Sequence, residues 1–300
     1  MRLNKIRDIS LSLYIKYFSV KDNANPIFIL GSGRCGSTLL ASILNCHPNI
    51  FFPKEHGMII TLLKNWILNP TKNYKNKKLI IQKALKSSYY WEEQSEFYLD
   101  RIMTNGHKDL TFPKIIETLF QEVALKHGKK LNRWGDQTVG NSKFILSMKS
   151  QFPKSKIIYM IRDPRAVVAS YFDINKEYHK LNAVIARWEI AYEKYKLLKL
   201  YYPSDVIMID YNSLVTNTSD VLLNVMNWLD EENSKINLNE RFRMVKELTD
   251  NGKRHHAKLS SPIDGKSISK WKNTLHSYEI EEIENKLLKK YNELSVPNNS

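Results

Sequence analysis

The chemistry-bearing residues of this chain begin at a glycine-rich turn. The run Pro26-Ile-Phe-Ile-Leu-Gly31-Ser-Gly33-Arg34-Cys35-Gly36-Ser37-Thr38-Leu-Leu40 leads an apolar stretch into that turn and then into a helical pattern. Glycines at 31, 33 and 36 let backbone N–H groups approach an anion, and Ser37 and Thr38 place hydroxyls at a helix N-terminus. Arg34 and Cys35 lie inside the turn, and the guanidinium can grip an oxyanion with paired hydrogen bonds. A triphosphate-binding loop would end in Gly-Lys-[Ser/Thr], whereas Ser37 stands in the lysine position. The missing lysine points to a ligand other than a Mg²⁺-bound β/γ-phosphate.

Two further groups of residues carry chemistry. In Ile157-Ile-Tyr-Met-Ile-Arg162-Asp-Pro-Arg165-Ala-Val-Val-Ala-Ser170, an apolar strand delivers Arg162 to the carboxyl edge of a sheet. That edge is where α/β proteins bind ligands. Ser170 follows about two helical turns later, on a face able to reach the same ligand. Glu55, just beyond a short apolar strand at 50–52, can accept a proton from an attacking hydroxyl. His56, His47 and His107 compete for that role. Glu55 is favoured, His56 comes second, and His47 fits the turn that ends the first helix.

The elements that must position these groups follow from periodicity. Apolar runs at 26–30, 50–52, 131–134, 156–161 and 206–210 read as strands. Helical patterns fall at 37–46, over most of 57–127 with breaks at Pro70 and Asn105-Gly106, and at 141–150, 221–229 and 278–291. Asp163 and Pro164 spell an N-cap and first helical residue, and Pro113 suits another first turn. Gly135-Asp136-Gln137-Thr138 reads as a polar turn. Strands separated by helices imply βαβ units and an α/β fold with a central parallel sheet flanked by helices. One domain over 26–300 behind a basic extension at 1–25 is the economical organisation.

Composition bounds the function. Over 300 residues the chain is 42% hydrophobic and 26% charged, enough for one sizeable core. The formal net charge of +15 favours anionic ligands, yet no nucleic-acid-binding signature accompanies it, so no nucleic-acid partner is expected. No apolar window is long enough for a membrane span. The charged N-terminus lacks a signal-peptide pattern. Cys35 and Cys46 lie about 16 Å apart along a helix, beyond disulfide reach. A reducing, cytoplasmic location follows as the expectation. No Cys/His spacing fits zinc, so no metal is expected. Oligomeric state leaves no trace in the sequence.

The glycine-rich turn and the strand-Arg-x7-Ser segment together resemble the two signatures of sulfotransferases that use 3′-phosphoadenosine 5′-phosphosulfate (PAPS). The spelling is closest to the branch containing tyrosylprotein sulfotransferases, which also has arginine in the loop. His47-Pro48-Asn49-Ile50 and Pro53-Lys54-Glu55 resemble that branch's helix exit and catalytic glutamate. Arg187-Trp188, Ile209-Asp-Tyr211-Asn-Ser-Leu214 and Ser267-Ile-Ser269-Lys270-Trp271 resemble later family segments, in the expected order. The resemblance implies a P-loop-like three-layer sandwich and direct in-line transfer without an obligatory metal. It further implies that Gly33, Arg34, Cys35, Gly36, Ser37 and Thr38 hold the 5′-phosphosulfate, and that Arg34 is catalytic. By the same resemblance Arg162, Ser170 and Lys270 hold the 3′-phosphate, Tyr211 contacts the nucleotide, and Glu55 is the base.

Three positions depart from the pattern. Gln137 stands where the family carries a lysine, Gly57 where the tyrosylprotein enzymes carry a substrate-contacting arginine, and His255 where they carry a serine. The acceptor is not spelled by any motif: carbohydrate, lipid, tyrosine and small alcohol all offer a hydroxyl. Two rival functions make different demands. A small-molecule P-loop kinase would need Mg²⁺ and the absent loop lysine. A non-catalytic polyanion binder would show steep salt dependence and no preference for a 3′-phosphate.

Overall fold

The computed structural model describes residues 24–68, 73–105, 110–248 and 261–295. The expected extension at 1–25 therefore lies almost wholly outside the described residues, as do Pro70, His107 and His255. Five strands form one sheet in the order β2-β3-β1-β4-β5, with β1 Ile27–Gly31, β2 Ile50–Phe51, β3 Arg133–Asp136, β4 Lys156–Ile161 and β5 Val206–Asp210. The β1–β3, β2–β3 and β4–β5 ladders are parallel, as the alternation of strands and helices requires. The described residues divide into two compact units, one made of those up to Phe28 with those in His47–Lys156, the other of Ile29–Cys46 with those from Ile157 onward.

In the first unit, β3 pairs with Ile27 and Phe28 through Gly135 and Asp136, and with Ile50 and Phe51 through Arg133 and Trp134. This corrects the turn expected at 135–138: Gly135 and Asp136 belong to the strand. A glycine is required there because the Phe52 ring lies 2.2 Å from where a Cβ at 135 would stand. Helices α2 Met58–Leu68, α3 Tyr74–Lys86, α4 Tyr89–Glu92, α5 Ser95–Asn105 and α6 Phe112–Lys126 fill the stretch between β2 and β3. Asn73 caps α3 through its side chain, Thr111 caps α6, and Pro113 occupies the first turn of α6 as expected. Their core is aromatic: Phe28, Phe120, Phe152 and Trp134 pack with ring centroids 4.6–6.3 Å apart. Trp91 is fully buried with them. The helix expected at 141–150 is instead a 3₁₀ turn, Val139–Lys143, followed by α7 Ile145–Gln151.

In the second unit, β4 and β5 pair along five consecutive residues, Ile157↔Val206 to Ile161↔Asp210. The sequence bounds of both strands are met, because each is an uninterrupted apolar run between turn residues. Helix α1 Ser37–Leu44 follows the glycine-rich loop, and α8 Pro164–Asn175 follows β4. Asp163 accepts the Arg165 N–H as the N-cap of α8. Then come α9 Leu181–Tyr201, α10 Tyr211–Thr216, α11 Thr218–Leu229 and α12 Arg241–Leu248. The last helical stretch runs through α13 Ser277–Ile283, one π-helical turn Glu284–Leu288, and α14 Lys289–Ser295. The expected Glu282–Lys286 pair is present at 2.7 Å. Among the described residues no helix is long and apolar enough to cross a membrane.

Candidate active site

The second unit holds the glycine-rich loop. Gly33 (φ 76°), Arg34 (φ 56°) and Gly36 (φ 95°) all take left-handed backbone conformations, of the kind from which anion-binding turns are built. For Arg34 that conformation costs on the order of 1–2 kcal/mol. Its neighbours hold it there. The Arg162 guanidinium donates to the Arg34 carbonyl (2.9 Å), and the Tyr171 hydroxyl donates to the Ser32 carbonyl (3.1 Å). Gly36 admits no side chain, because a Cβ would fall 2.5 Å from the Tyr211 ring.

The residues expected to read the far end of the ligand converge on this loop. Arg34 Nε donates to Ser170 Oγ at 3.2 Å, so the two expected anion-binding segments touch directly. Arg162 is buried, donates also to the Ser267 carbonyl (2.9 Å), and lies 4.2 Å over the Tyr211 ring. Its buried Nε has no hydrogen-bond partner among the described residues. Burial lowers the Arg162 pKa, but an arginine stays protonated, so a buried cation with a donor to spare faces this region. The Tyr211 hydroxyl shares a 2.7 Å hydrogen bond with Ser267 Oγ. An anionic ligand with a stackable base fits such a set: a fixed cation, an unsatisfied donor and an aromatic face.

Lys270 is placed differently. It is exposed and ion-paired with Asp173 of α8. An exposed pair of this kind is worth about 0–1 kcal/mol. Lys270 can therefore exchange Asp173 for a phosphate at small cost. Cys35 is buried, and burial pushes its thiol pKa up, so it serves as packing, not as a nucleophile. Cys46 is also a buried thiol outside any disulfide, and it donates to the Ser42 carbonyl at 3.3 Å. Ser37 and Thr38 open α1 as expected.

Several contacts that support this half-site could not be read from the sequence, although Trp188 and Trp271 lie in segments it had singled out. Tyr171 holds the loop, and the Trp188 indole donates to the Arg162 carbonyl at 3.0 Å. Arg165 bonds Asp163 and Glu284 and stacks on Trp271 at 4.0 Å. Tyr171 and Arg165 were signalled only by adjacency to Ser170 and Pro164, whereas Trp188 and Trp271 stand within the family-like segments themselves.

Glu55 belongs to the first unit. It is exposed, and one carboxylate oxygen accepts the Val139 N–H at 3.2 Å. Beside it, His56 is 4% exposed, its ring packed edge-on against Trp91 (5.3 Å) and Phe120 (5.8 Å), with neither nitrogen hydrogen-bonded to any of the described residues. A side chain sealed among aromatic rings does not meet a substrate, which removes His56 as the second candidate base. His47 is buried at the helix exit, where its Nδ1 accepts the Asn49 N–H, the turn role expected for it. Gln137 is buried, and its amide donates to the Pro53 carbonyl at 3.2 Å. Among the described residues no cluster of three or more His, Cys, Asp or Glu could hold a metal ion.

His56 also makes stability depend on pH. Burial lowers its pKa below the ordinary 6.5, more than Asp136 raises it. The unfolded chain thus binds a proton that the folded chain refuses. Stability is full above pH 6.5 and falls as pH drops through that value, by up to about 1.4 kcal/mol per pH unit. Chemical denaturation from pH 7.5 to 5 is expected to show this slope, and His56→Phe to flatten it. An unchanged slope in the variant would assign the pH dependence to other groups.

Comparisons with known proteins agree with this arrangement. A family model described as the sulfotransferase family matches residues 26–235. The chain belongs to the sulfotransferase family, which transfers a sulfuryl group from PAPS to an acceptor. It is 22% identical over 251 residues to a Caenorhabditis briggsae protein provisionally named a protein-tyrosine sulfotransferase, covering 82% of this chain and 80% of that one. It is 26% identical over 155 residues to rat protein-tyrosine sulfotransferase 1, covering 52% of this chain but 36% of that protein. The fold is that of the sulfotransferase domain from the curacin biosynthetic pathway, with a TM-score of 0.59 at 20% identity, covering 89% of this chain and 99% of that one.

Proposed function

We propose that this chain transfers the sulfuryl group of PAPS to an acceptor hydroxyl by in-line displacement, with Glu55 as base and residues 33–38 as the phosphosulfate cradle. The observation that carries the reading is the Arg34–Ser170 hydrogen bond together with the Arg162–Arg34 carbonyl bond. They join the two anion-binding segments into one cationic patch beside an aromatic face, suited to a nucleotide charged at both ends. In this reading the loop amides, Arg34, Ser37 and Thr38 stabilise charge moving onto the leaving phosphate. Arg162, Ser170 and Lys270 take the 3′-phosphate, and Tyr211 contacts the nucleotide. Glu55 removes the acceptor proton as the S–O bond forms, and adenosine 3′,5′-bisphosphate leaves.

For the acceptor we favour a tyrosine hydroxyl in an acidic peptide. The names of the relatives and the net charge of +15 support it.

Thermal unfolding with adenosine 3′,5′-bisphosphate, 5′-AMP and ATP-Mg²⁺ tests the donor. The bisphosphate at about 100 times its Kd is expected to stabilise the protein by about 2.7 kcal/mol, with little response to the other two. An equal response to 5′-AMP, or a response confined to ATP-Mg²⁺, would sink the reading.

A further inference from the structure

We propose that Gln137–Val139 is a positioning strap for Glu55, with Thr138 as its central positioning residue. The inference rests on the reading of Glu55 as the base. Three consecutive residues each reach the segment that carries Glu55. The Gln137 amide donates to the Pro53 carbonyl (3.2 Å), and the Val139 N–H donates to the Glu55 carboxylate (3.2 Å). Between them, Thr138 Oγ1 accepts the His56 N–H (3.1 Å) and donates to the His56 carbonyl (2.7 Å). A threonine hydroxyl has one proton to give, and here the proton and a lone pair both go to the backbone of a single residue.

The strap is itself anchored. Asp136 is buried at the end of β3, where it accepts the Thr138 N–H through one oxygen and the Asn141 amide through the other, each at 2.8 Å. On the other side the His56 ring is wedged between Trp91 and Phe120. An exposed glutamate on a loop would otherwise sample many rotamers, and each loses the alignment that proton transfer needs. The strap holds the main chain on both sides of Glu55 and one oxygen of its carboxylate. It also gives Gln137 a role. With its amide turned to Pro53 and its Oε1 unpartnered among the described residues, the residue at the family's lysine position braces the base and supplies no charge.

The test compares Thr138→Val, which is nearly isosteric but has no hydroxyl, with Thr138→Ser, which keeps it. Sulfuryl transfer from labelled PAPS is measured to a mixture of a tyrosine peptide, a methyl glycoside and a long-chain alcohol. Amide hydrogen exchange is followed at residues 53–57. Thr138→Val is expected to lower kcat by about 10²-fold with the KM for PAPS unchanged. It is also expected to speed exchange of 53–57 at least about tenfold. Thr138→Ser is expected to restore both to near wild type. Wild-type kcat or unchanged exchange in Thr138→Val overturns the strap, and so does a serine variant as impaired as the valine one. If Thr138→Val fails to fold, Gln137→Met provides the same two readouts with only the Pro53 bond removed. Glu55→Gln separates the two ideas. If it retains turnover the base assignment fails, while the exchange data still decide whether the strap orders this segment.

Discussion

Replacing Glu55 by glutamine is expected to lower kcat by about 10²–10⁴-fold while leaving affinity for adenosine 3′,5′-bisphosphate unchanged. Glutamine has the same shape, and its carbonyl oxygen can still accept the Val139 N–H that now reaches Glu55. The negative charge and the capacity to take a proton are lost. In the proposed reading Arg34, Arg162, Ser170 and Tyr211 hold the donor and Glu55 does not, so titration of the bisphosphate should not register the change. No histidine in this segment can take over, since His56 is walled in by Trp91 and Phe120. Steady-state transfer paired with calorimetric binding checks both halves. A kcat within a few-fold of wild type would remove Glu55 from the chemistry.

Arg162→Met is expected to weaken bisphosphate binding at least about 100-fold, or about 2.7 kcal/mol. It should also abolish the preference for the bisphosphate over 5′-AMP. Methionine fills much of the volume, so the packing over Tyr211 is largely retained while the charge and the fork of donors disappear. Two losses combine. In the proposed reading the 3′-phosphate loses a buried cation, and the Arg34 and Ser267 carbonyls lose the guanidinium that donates to them. Arg162→Lys should rescue little, because one ammonium cannot serve both carbonyls and a ligand in the geometry of a planar guanidinium. Isothermal titration with the two nucleotides measures the ratio directly. A variant that keeps the wild-type ratio would move 3′-phosphate recognition elsewhere.

How much of this could be read from the chain depended on how local each signal was. β4 and β5 were legible to the residue because they are apolar runs bounded by turn residues. The Asp163-Pro164 cap was legible for the same reason: its partner is the N–H of Arg165, two residues away. β3 was misplaced by two residues. Gly135 and Asp136 are turn formers by preference, but pairing with β1 and the Phe52 ring above the glycine override that preference. The helix expected at 141–150 failed at its start, where Asn141 is drawn into bonding with Asp136 and the chain tightens into a 3₁₀ turn.

By itself, then, the sequence determined the α/β alternation and the glycine-rich loop. It also determined the delivery of Arg162 by β4 and the family resemblance, all consequences of short-range spacing. Only the tertiary structure decided that Arg34 meets Ser170, 136 residues away, and that Lys270 rests on Asp173. It alone revealed that His56 is buried and that Thr138 clasps the residue beside Glu55 across 82 positions. The physical reason is that side-chain hydrogen bonds are directional and short, so their partners are chosen by the packing of distant segments. Residue types alone could name candidates for the site, but which of them share a hydrogen bond, and which are sealed from substrate, is a property of the folded chain.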